Sequence, residues 1–435
     1  MLNILRKIIP KPILGVYHFV LAKLAQVVYG NPSRKLIVIG VTGTNGKSTT
    51  VNLISKILDK AGKKSGFTTT INFKIGDKEW LNKSKMTMLG RFQLQKLLKQ
   101  MVKAECKYAI IETSSQGLDQ FRHLGVEYDA AVFTNLAPEH IEAHGGFENY
   151  KKAKGKLFKH LTKFKNKKID GNEIPKVIVV NVDDDHADYY LQFDADKKVK
   201  YSIDKESEFK ANNLEVGPDN SKFDIGDLRL EIGLPGRFNV YNTLAAIAVC
   251  STLGISMADA QAALKDIEKI PGRLEYIDEG QLFKVMVDYA PEPNSLAEVY
   301  KLINTISKNK FIHVLGSAGG GRDKARRPVL GKMAGEMADY VIVTNEDPYD
   351  EDPMEIIEQV AEGAINAGKI IDKNLFKILD RREAIEKAIS LADENDFILI
   401  TGKGAEQAMV VSGGKKVAWD DREVVKEILN KSYES

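Results

Sequence analysis

Cysteine is scarce. Cys106 and Cys250 are the only two in 435 residues, far apart and each set in an apolar stretch. That excludes a disulfide-stapled scaffold and a cysteine-cluster metal site, and it fits a reducing compartment with both thiols in the core. An excess of one charge is nearly absent too: 63 Lys and Arg face 60 Asp and Glu, a formal +3. With no zinc-finger spacing and no long arginine run, a nucleic-acid partner has no electrostatic footprint. Long apolar runs are missing as well. The stretch ILGVYHFVLAKLAQVVY at 13–29 is broken by Lys23 and is too short to span a bilayer, and no small-residue cleavage signal follows it. Internal repeats and low-complexity linkers are also lacking. What is present is a 43% apolar, 28% charged chain, enough for a packed core and a soluble surface. At this length two or three domains are expected.

In the 13–29 stretch Leu14, Tyr17, Leu21, Leu24 and Val28 recur at helical spacing, with His18, Lys23 and Gln26 off the stripe. The plain reading is a helix packed on the body of the protein. The alternative is a helix lying on a membrane surface, helped by Arg6, Lys7 and Lys11. Lys35 to Gly40 then reads as a buried parallel strand, followed by a glycine-rich turn and a helix from about Ser48 to Ala61. Further strand-like runs lie at Tyr108–Glu112, Ala130–Thr134 and Val177–Asn181, with helical patterns at 91–104 and 147–161 between them. Such alternation implies a mostly parallel sheet covered on both faces. Residues 198–233 read as short alternating strands, and helices follow at 236–252 and 256–266. Pro271-Gly272 breaks the pattern and is placed at a domain boundary. Runs at 311–315, 340–344 and 397–401 define a second α/β unit. The basic run Lys163–Lys168 reads as a solvated loop.

The strongest local signal is GVTGTNGKSTT at 40–50. Backbone N–H groups in a turn of this kind point at phosphate oxygens, and the following helix adds its positive end. Lys47 is placed to reach the outer phosphates and Ser48 to ligate magnesium. The generic loop has glycine where Val41 stands, with glycines here at 40 and 43 instead, so the strict pattern is missed by one place. Glu112 closes a strand and is a candidate magnesium ligand. His140, in NLAPEH at 135–140, is a candidate ligand or an orienter of a carboxylate.

These segments, with ETSSQGLDQ at 112–120, YKKAKGKLF at 150–158, GRFNVYN at 236–242, PGRLE at 271–275, VDYAPEPNSL at 287–296, GSAGGGRDKARRP at 316–328, TNEDPYDEDP at 344–353 and ITGKGAEQ at 400–407, resemble the Mur ligase family, and within it the members that add the third residue of the peptidoglycan stem. The resemblance runs from about Lys35 to Ile428. It implies an α/β fold: a short helical N-terminal segment at 1–34, a central P-loop ATPase domain with a mostly parallel sheet at 35–270, and a Rossmann-like C-terminal domain at 271–435. It implies an ATP-dependent acid–amino-acid ligase that makes an acyl phosphate and then an amide, with two magnesium ions. In that scheme Lys47, Glu112, His140 and Lys154 are catalytic, and Ser48, Glu112, His140 and Lys154 hold metal, Lys154 as a carbamate. Gly43, Thr44, Asn45, Gly46, Lys47, Ser48, Thr49, Asn239, Asn242, Arg273 and Asp288 seat the nucleotide. Thr113, Ser114, Ser115, Arg322, Asp347, Tyr349, Gly402 and Glu406 face the substrates, a carboxylate acceptor and a free amino acid. A monomeric cytoplasmic enzyme is expected, with membrane-surface contact through 13–29 as the alternative for that helix.

Three departures from the family pattern stand out. Only 34 residues precede the ATPase strand, too few for the usual uridine-nucleotide domain, so an acceptor without a UDP handle is expected. Members that add diaminopimelate carry Asp-Asn-Pro-Arg where this chain has Glu346-Asp347-Pro348-Tyr349, which removes a bidentate cation and disfavours diaminopimelate. Gln116, Pro291 and Ala405 stand where the family has histidine. Two other readings fit less of the pattern: a folylpolyglutamate-synthetase-like ligase, and a nucleotide-binding scaffold without catalysis.

Overall fold

The computed structural model describes residues 11–139 and 144–434. Helix α1 spans Lys11–Tyr29. The first strands in chain order are β1 (Ile37–Thr42), β2 (Ser65–Thr68), β3 (Asn72–Ile75), β4 (Lys78–Leu81), β5 (Tyr108–Glu112) and β6 (Ala130–Phe133). A two-strand hairpin, β7 (Lys167–Ile169) and β8 (Asn172–Ile174), precedes β9 (Val177–Asn181), β10 (Lys197–Ser202) and β11 (Phe209–Lys210). Short apolar runs become fully buried strands at β1, β5, β6 and β9, as expected where both sheet faces are covered, while the β3-β4 edge carries charge and is partly exposed. The large sheet runs β11-β10-β9-β6-β1-β5-β2-β3-β4. It is parallel from β11 to β2 and antiparallel at the β2-β3-β4 edge.

The helices that position the site are α2 (Lys47–Lys60), α3 (Arg91–Lys103), α4 (Phe147–Leu161) and α5 (Arg237–Thr252). One sheet face buries Ile37, Ile39 and Val41 with Ile54 of α2 and Leu244 of α5. The other buries Val38 with Tyr128 and Leu157. Alternate residues of β1 therefore serve opposite cores, as the period of two requires. Helix α5 is buried along most of its length, Asn239, Asn242 and Thr243 included. An antiparallel sheet of β12 (Asn212–Val216), β13 (Ser221–Ile225) and β14 (Leu228–Ile232) follows β11, matching the alternation seen at 198–233.

The second unit is built on β15 (Glu275–Ile277), β16 (Lys284–Val287), β17 (Phe311–Leu315), β18 (Tyr340–Thr344), β19 (Leu375–Ile378) and β20 (Phe397–Ile400). Their order is β15-β16-β20-β17-β18-β19, parallel except at β15. A hairpin of β21 (Ala408–Val411) and β22 (Lys415–Ala418) follows. Both cysteines are buried.

Three expectations need correction. The first strand begins at Ile37, because Pro32–Lys35 forms a 3-10 turn. The run 163–168 is not wholly solvated: Lys167 opens β7 and is buried, donating to Asp129 Oδ2 at 2.6 Å and to Leu36 O at 2.9 Å. Asp129 is itself buried, and the two ammonium groups of Lys167 and Lys176 balance it. The stripe read on α1 is not its packed face. Tyr17, Leu24 and Val28 are exposed, whereas Ala22, Ala25 and Gln26 are buried. No described helix is long and apolar enough to cross a membrane.

Candidate active site

Strand β1 delivers the chain into Gly43-Thr44-Asn45-Gly46, and α2 starts at Lys47. Two positions of this turn require glycine. Gly43 has φ 155° and Gly46 φ 80°. A Cβ on Gly43 would strike Thr134 Oγ1, and one on Gly46 would strike Asn242 Oδ1. The turn is thus clamped between the strand-end loop after β6 and helix α5. Asn45 N donates to Asn135 Oδ1 at 2.9 Å, and Thr134 Oγ1 donates to Asn45 O at 2.7 Å. The amino end of α2, carrying Gly46, Lys47, Ser48 and Thr49, lines a cavity of about 1020 Å³ between the two units. The helix dipole makes that end favourable for an anion.

Four predicted residues gather on this wall. Lys47 Nζ donates to Thr44 O at 2.6 Å. Ser48 Oγ donates to Glu112 Oε2 at 2.7 Å, and Thr70 N donates to the same oxygen at 2.8 Å. Lys154, projecting from α4, is fully buried and donates to Gly43 O at 2.6 Å, with its ammonium 4.3 Å from the centre of the Tyr150 ring. Burial, and then the charge of Lys47, push the Lys154 amine well below the usual lysine range. Tyr150 was not singled out in the sequence, yet its hydroxyl lies 3.1 Å from Thr44 Oγ1 and donates to Glu139 Oε2 at 3.3 Å. His140 lies outside the described residues. Among the described residues no cluster of three or more His, Cys, Asp or Glu is set to hold a metal. A hydroxyl and a carboxylate side by side at a phosphate loop nevertheless fit magnesium, which takes few protein oxygens and completes its shell with phosphate and water.

Asn242 reaches the turn, whereas Asn239 sits behind it. Asn239 donates to Pro235 O at 2.7 Å and accepts from Asn242 Nδ2 at 3.2 Å. Thr113 also faces away from the cavity: its hydroxyl donates to Ile111 O at 3.0 Å. Ser114 and Ser115 line the cavity. Ser115 Oγ is 3.0 Å from His144 Nε2.

The opposite wall comes from the second unit and carries Arg273, Asp288, Tyr289, Arg322 and Tyr349. The Arg273 guanidinium stacks 4.6 Å from the Tyr289 ring centre. Asp288 accepts from Leu274 N at 2.8 Å, and burial raises its carboxyl above the usual range against the pull of Arg273. Burial alone would lower Arg322, but Tyr289, Tyr349, Glu346 and Glu406 hold it above the ordinary arginine range.

Asp347 and Glu406 stand behind this wall in a buried four-charge cluster. Lys403 Nζ is 2.9 Å from Asp347 Oδ1 and 2.8 Å from Glu406 Oε2. Lys85, from the first unit, reaches across to Asp347 Oδ2 at 2.5 Å and Glu406 Oε2 at 3.0 Å. Lys85 holds a left-handed φ of 54°, a strained state for a residue with a side chain. Gly402 approaches the neighbouring Glu346, which a Cβ there would meet. No motif reading marks Lys85, because its nearer partner in sequence, Asp347, lies 262 residues away and only folding brings them together.

A cavity of about 1020 Å³ with an anion-binding helix end on one wall and a half-buried arginine on the other fits a nucleotide-dependent enzyme that acts on a second, charged substrate. Models of the Mur ligase middle domain and of the Mur ligase glutamate ligase domain match residues 41–250 and 272–404, and the chain belongs to the Mur ligase family. It is 39% identical over 412 residues to the UDP-N-acetylmuramoyl-L-alanyl-D-glutamate--2,6-diaminopimelate ligase of Geobacillus thermodenitrificans, covering 93% of this chain and 81% of that one. It is 36% identical over 423 residues to a UDP-N-acetylmuramyl-tripeptide synthetase of a Roseiflexus species, covering 95% and 82%. A solved structure of a UDP-N-acetylmuramoyl-L-alanyl-D-glutamate--2,6-diaminopimelate ligase superposes with TM-score 0.60 at 28% identity over 92% of this chain and 79% of that one. The folylpolyglutamate synthase of Mycobacterium tuberculosis shares the fold, with TM-score 0.68 at 16% identity over 88% of this chain and 92% of that one. The chain is an ATP-dependent acid–amino-acid ligase with magnesium-dependent chemistry.

Proposed function

We propose that this ligase joins a free amino acid to a peptidoglycan-precursor carboxylate, in the manner of the tripeptide synthetases it resembles. The observation that supports this reading is one cavity with Lys47, Ser48, Glu112 and Lys154 on one wall and Arg322 with Tyr349 on the other. Lys47 and the amino end of α2 hold the triphosphate, with Asn242 fixing the turn and Arg273 and Asp288 reaching the nucleotide from the second unit. Ser48, Glu112, His140 and Lys154 would hold two magnesium ions. When bound, the ions neutralise charge on the transferring phosphoryl group. The acceptor carboxylate takes the γ-phosphoryl group and ADP leaves. The amine of the incoming amino acid then displaces phosphate and loses a proton as the amide forms. Water would destroy the acyl phosphate, so closure of a 271–435 domain over a 35–270 domain, hinged near Pro271, protects it.

Lys154 supplies an anion in this scheme once carbamylated. Burial, and then the charge of Lys47, favour its neutral amine, and a neutral amine adds carbon dioxide and releases a proton to become a carbamate. In 13C-bicarbonate the folded protein is expected to show a carbamate carbonyl resonance that Lys154→Met lacks. No such resonance in active enzyme ends this part of the proposal.

The amino acid is lysine, or another amine without a distal carboxylate. Tyr349 stands where diaminopimelate-adding members have arginine and offers no bidentate cation. A panel of amino acids, read by ADP release, is expected to favour lysine over diaminopimelate. A clear preference for diaminopimelate, which the first relative's name carries, overturns this choice.

A further inference from the structure

Helix α1 is built inside out. Its inner side, against the 125 turn and α3, carries Ala22, Ala25 and Gln26, all buried. A Cβ on Gly125 would touch the Gln26 side chain, so the approach is close and made by small groups. The outer side carries Ile13, Val16, Val20, Leu24 and Val27, each about half or more exposed, with Val27 at 73%. Spacings of three and four residues put these on one face, a continuous aliphatic stripe along the helix. A helix that packs its alanines and turns its valines, isoleucine and leucine outward is adapted to a second apolar environment rather than to water.

The charge around this stripe selects the environment. No Asp or Glu occurs before Asp59, whereas Arg6, Lys7, Lys11 and Lys23 all lie in the first 23 residues. Helix α3, packed beside α1, is likewise free of acid and carries Lys96, Lys99 and Lys103 on its exposed side. Lys99 Nζ stands 5.8 Å from the ring centre of Tyr29, at the end of α1. An aliphatic stripe in a mostly basic setting, with Glu105 just beyond α3 and Glu127 paired to Arg34 as the nearby acids, matches an anionic bilayer surface, where acyl chains take the stripe and headgroups take the lysines. A protein partner would need a carboxylate-rich apolar groove to match both.

We propose that α1 lies in the plane of an anionic membrane surface and seats the enzyme there, with Ile13, Val16, Val20, Leu24 and Val27 inserted. This surface is separate from the catalytic cavity and does not depend on which amino acid is added.

The test uses the full chain sedimented with vesicles of phosphatidylglycerol and phosphatidylcholine in equal parts, and with phosphatidylcholine alone. Wild type is expected to pellet with the anionic vesicles and to be released as salt rises, because the headgroup attraction is screened. Val20→Asp with Leu24→Asp, both at exposed positions, is expected to cut partitioning at least about tenfold. ATP binding by that variant checks that it is folded. Equal partitioning of wild type and variant overturns the proposal. So does wild type that stays in the supernatant, whether monomeric or as a dimer in light scattering that the variant abolishes, the latter showing that a second copy covers the stripe.

Discussion

At the scale of single residues the chain pairs much of the charge it buries. Asp129 is answered by Lys167 and Lys176, and Arg381 by Asp421 at 2.8 Å. Two buried histidines, His160 and His313, are handled the other way, by burial that disfavours their charged form. Burial lowers His160 to about 4 and His313 to about 3. His313 Nδ1 is 2.8 Å from the Tyr300 hydroxyl and Nε2 is 3.0 Å from Thr401 Oγ1. Unfolded histidine takes its proton near 6.5, so between that value and the folded one the unfolded chain holds more protons. The stability these rings contribute is complete above pH 6.5 and is lost as pH falls toward 4, at about 1.4 kcal/mol per pH unit for each ring. Denaturant unfolding from pH 7 to 4 is expected to show that slope. His160→Gln, which keeps an N–H for the Val126 carbonyl, is expected to reduce it by that ring's share. An unchanged slope contradicts the assignment. None of this is readable in the sequence, where a histidine in a helix and one in a strand look alike until their surroundings are known.

At the scale of elements the phosphate turn is the part most open to sequence reading. An apolar run, glycines and Lys-Ser at a helix start specify local geometry, and β1, the turn and α2 follow within two residues of expectation. The reason for two of its glycines was not readable, since it lies in Thr134 and Asn242, far along the chain. Gly46→Ala is expected to push α5 from the turn and weaken Mg-ATP binding by at least about tenfold while secondary structure is kept. Isothermal titration and circular dichroism measure both, and unchanged binding contradicts the clamp. The antiparallel β2-β3-β4 edge escaped reading because its strands are four residues each, and Lys78–Leu81 is largely exposed and carries little apolar signal. Helix α1 was legible as a helix, but its packed face was not, because alanines give a weaker apolar signal than the leucines and valines that face outward.

At the scale of the whole molecule the two units meet through the cluster of Lys85, Asp347, Lys403 and Glu406, and through Lys416 Nζ donating to Ser84 O at 2.8 Å. Both contacts use the loop at 84–85, so this loop is expected to act as a latch beside the packing of Val216 and Phe238 on the second core. Lys85→Met leaves two buried carboxylates with one cation, which costs about 3–5 kcal/mol at such a site. The variant is expected to open, seen as a larger radius of gyration in X-ray scattering and a higher KM for the amino acid. A radius equal to wild type contradicts the latch. The central claim, that one cavity couples ATP to amide formation between two substrates, is tested most directly by ADP release with each substrate omitted in turn. Sustained ADP release, beyond one equivalent per enzyme, is expected only when acceptor and amino acid are both present, and not at all from Lys47→Ala. ADP formed equally without either substrate, or undiminished in Lys47→Ala, contradicts it.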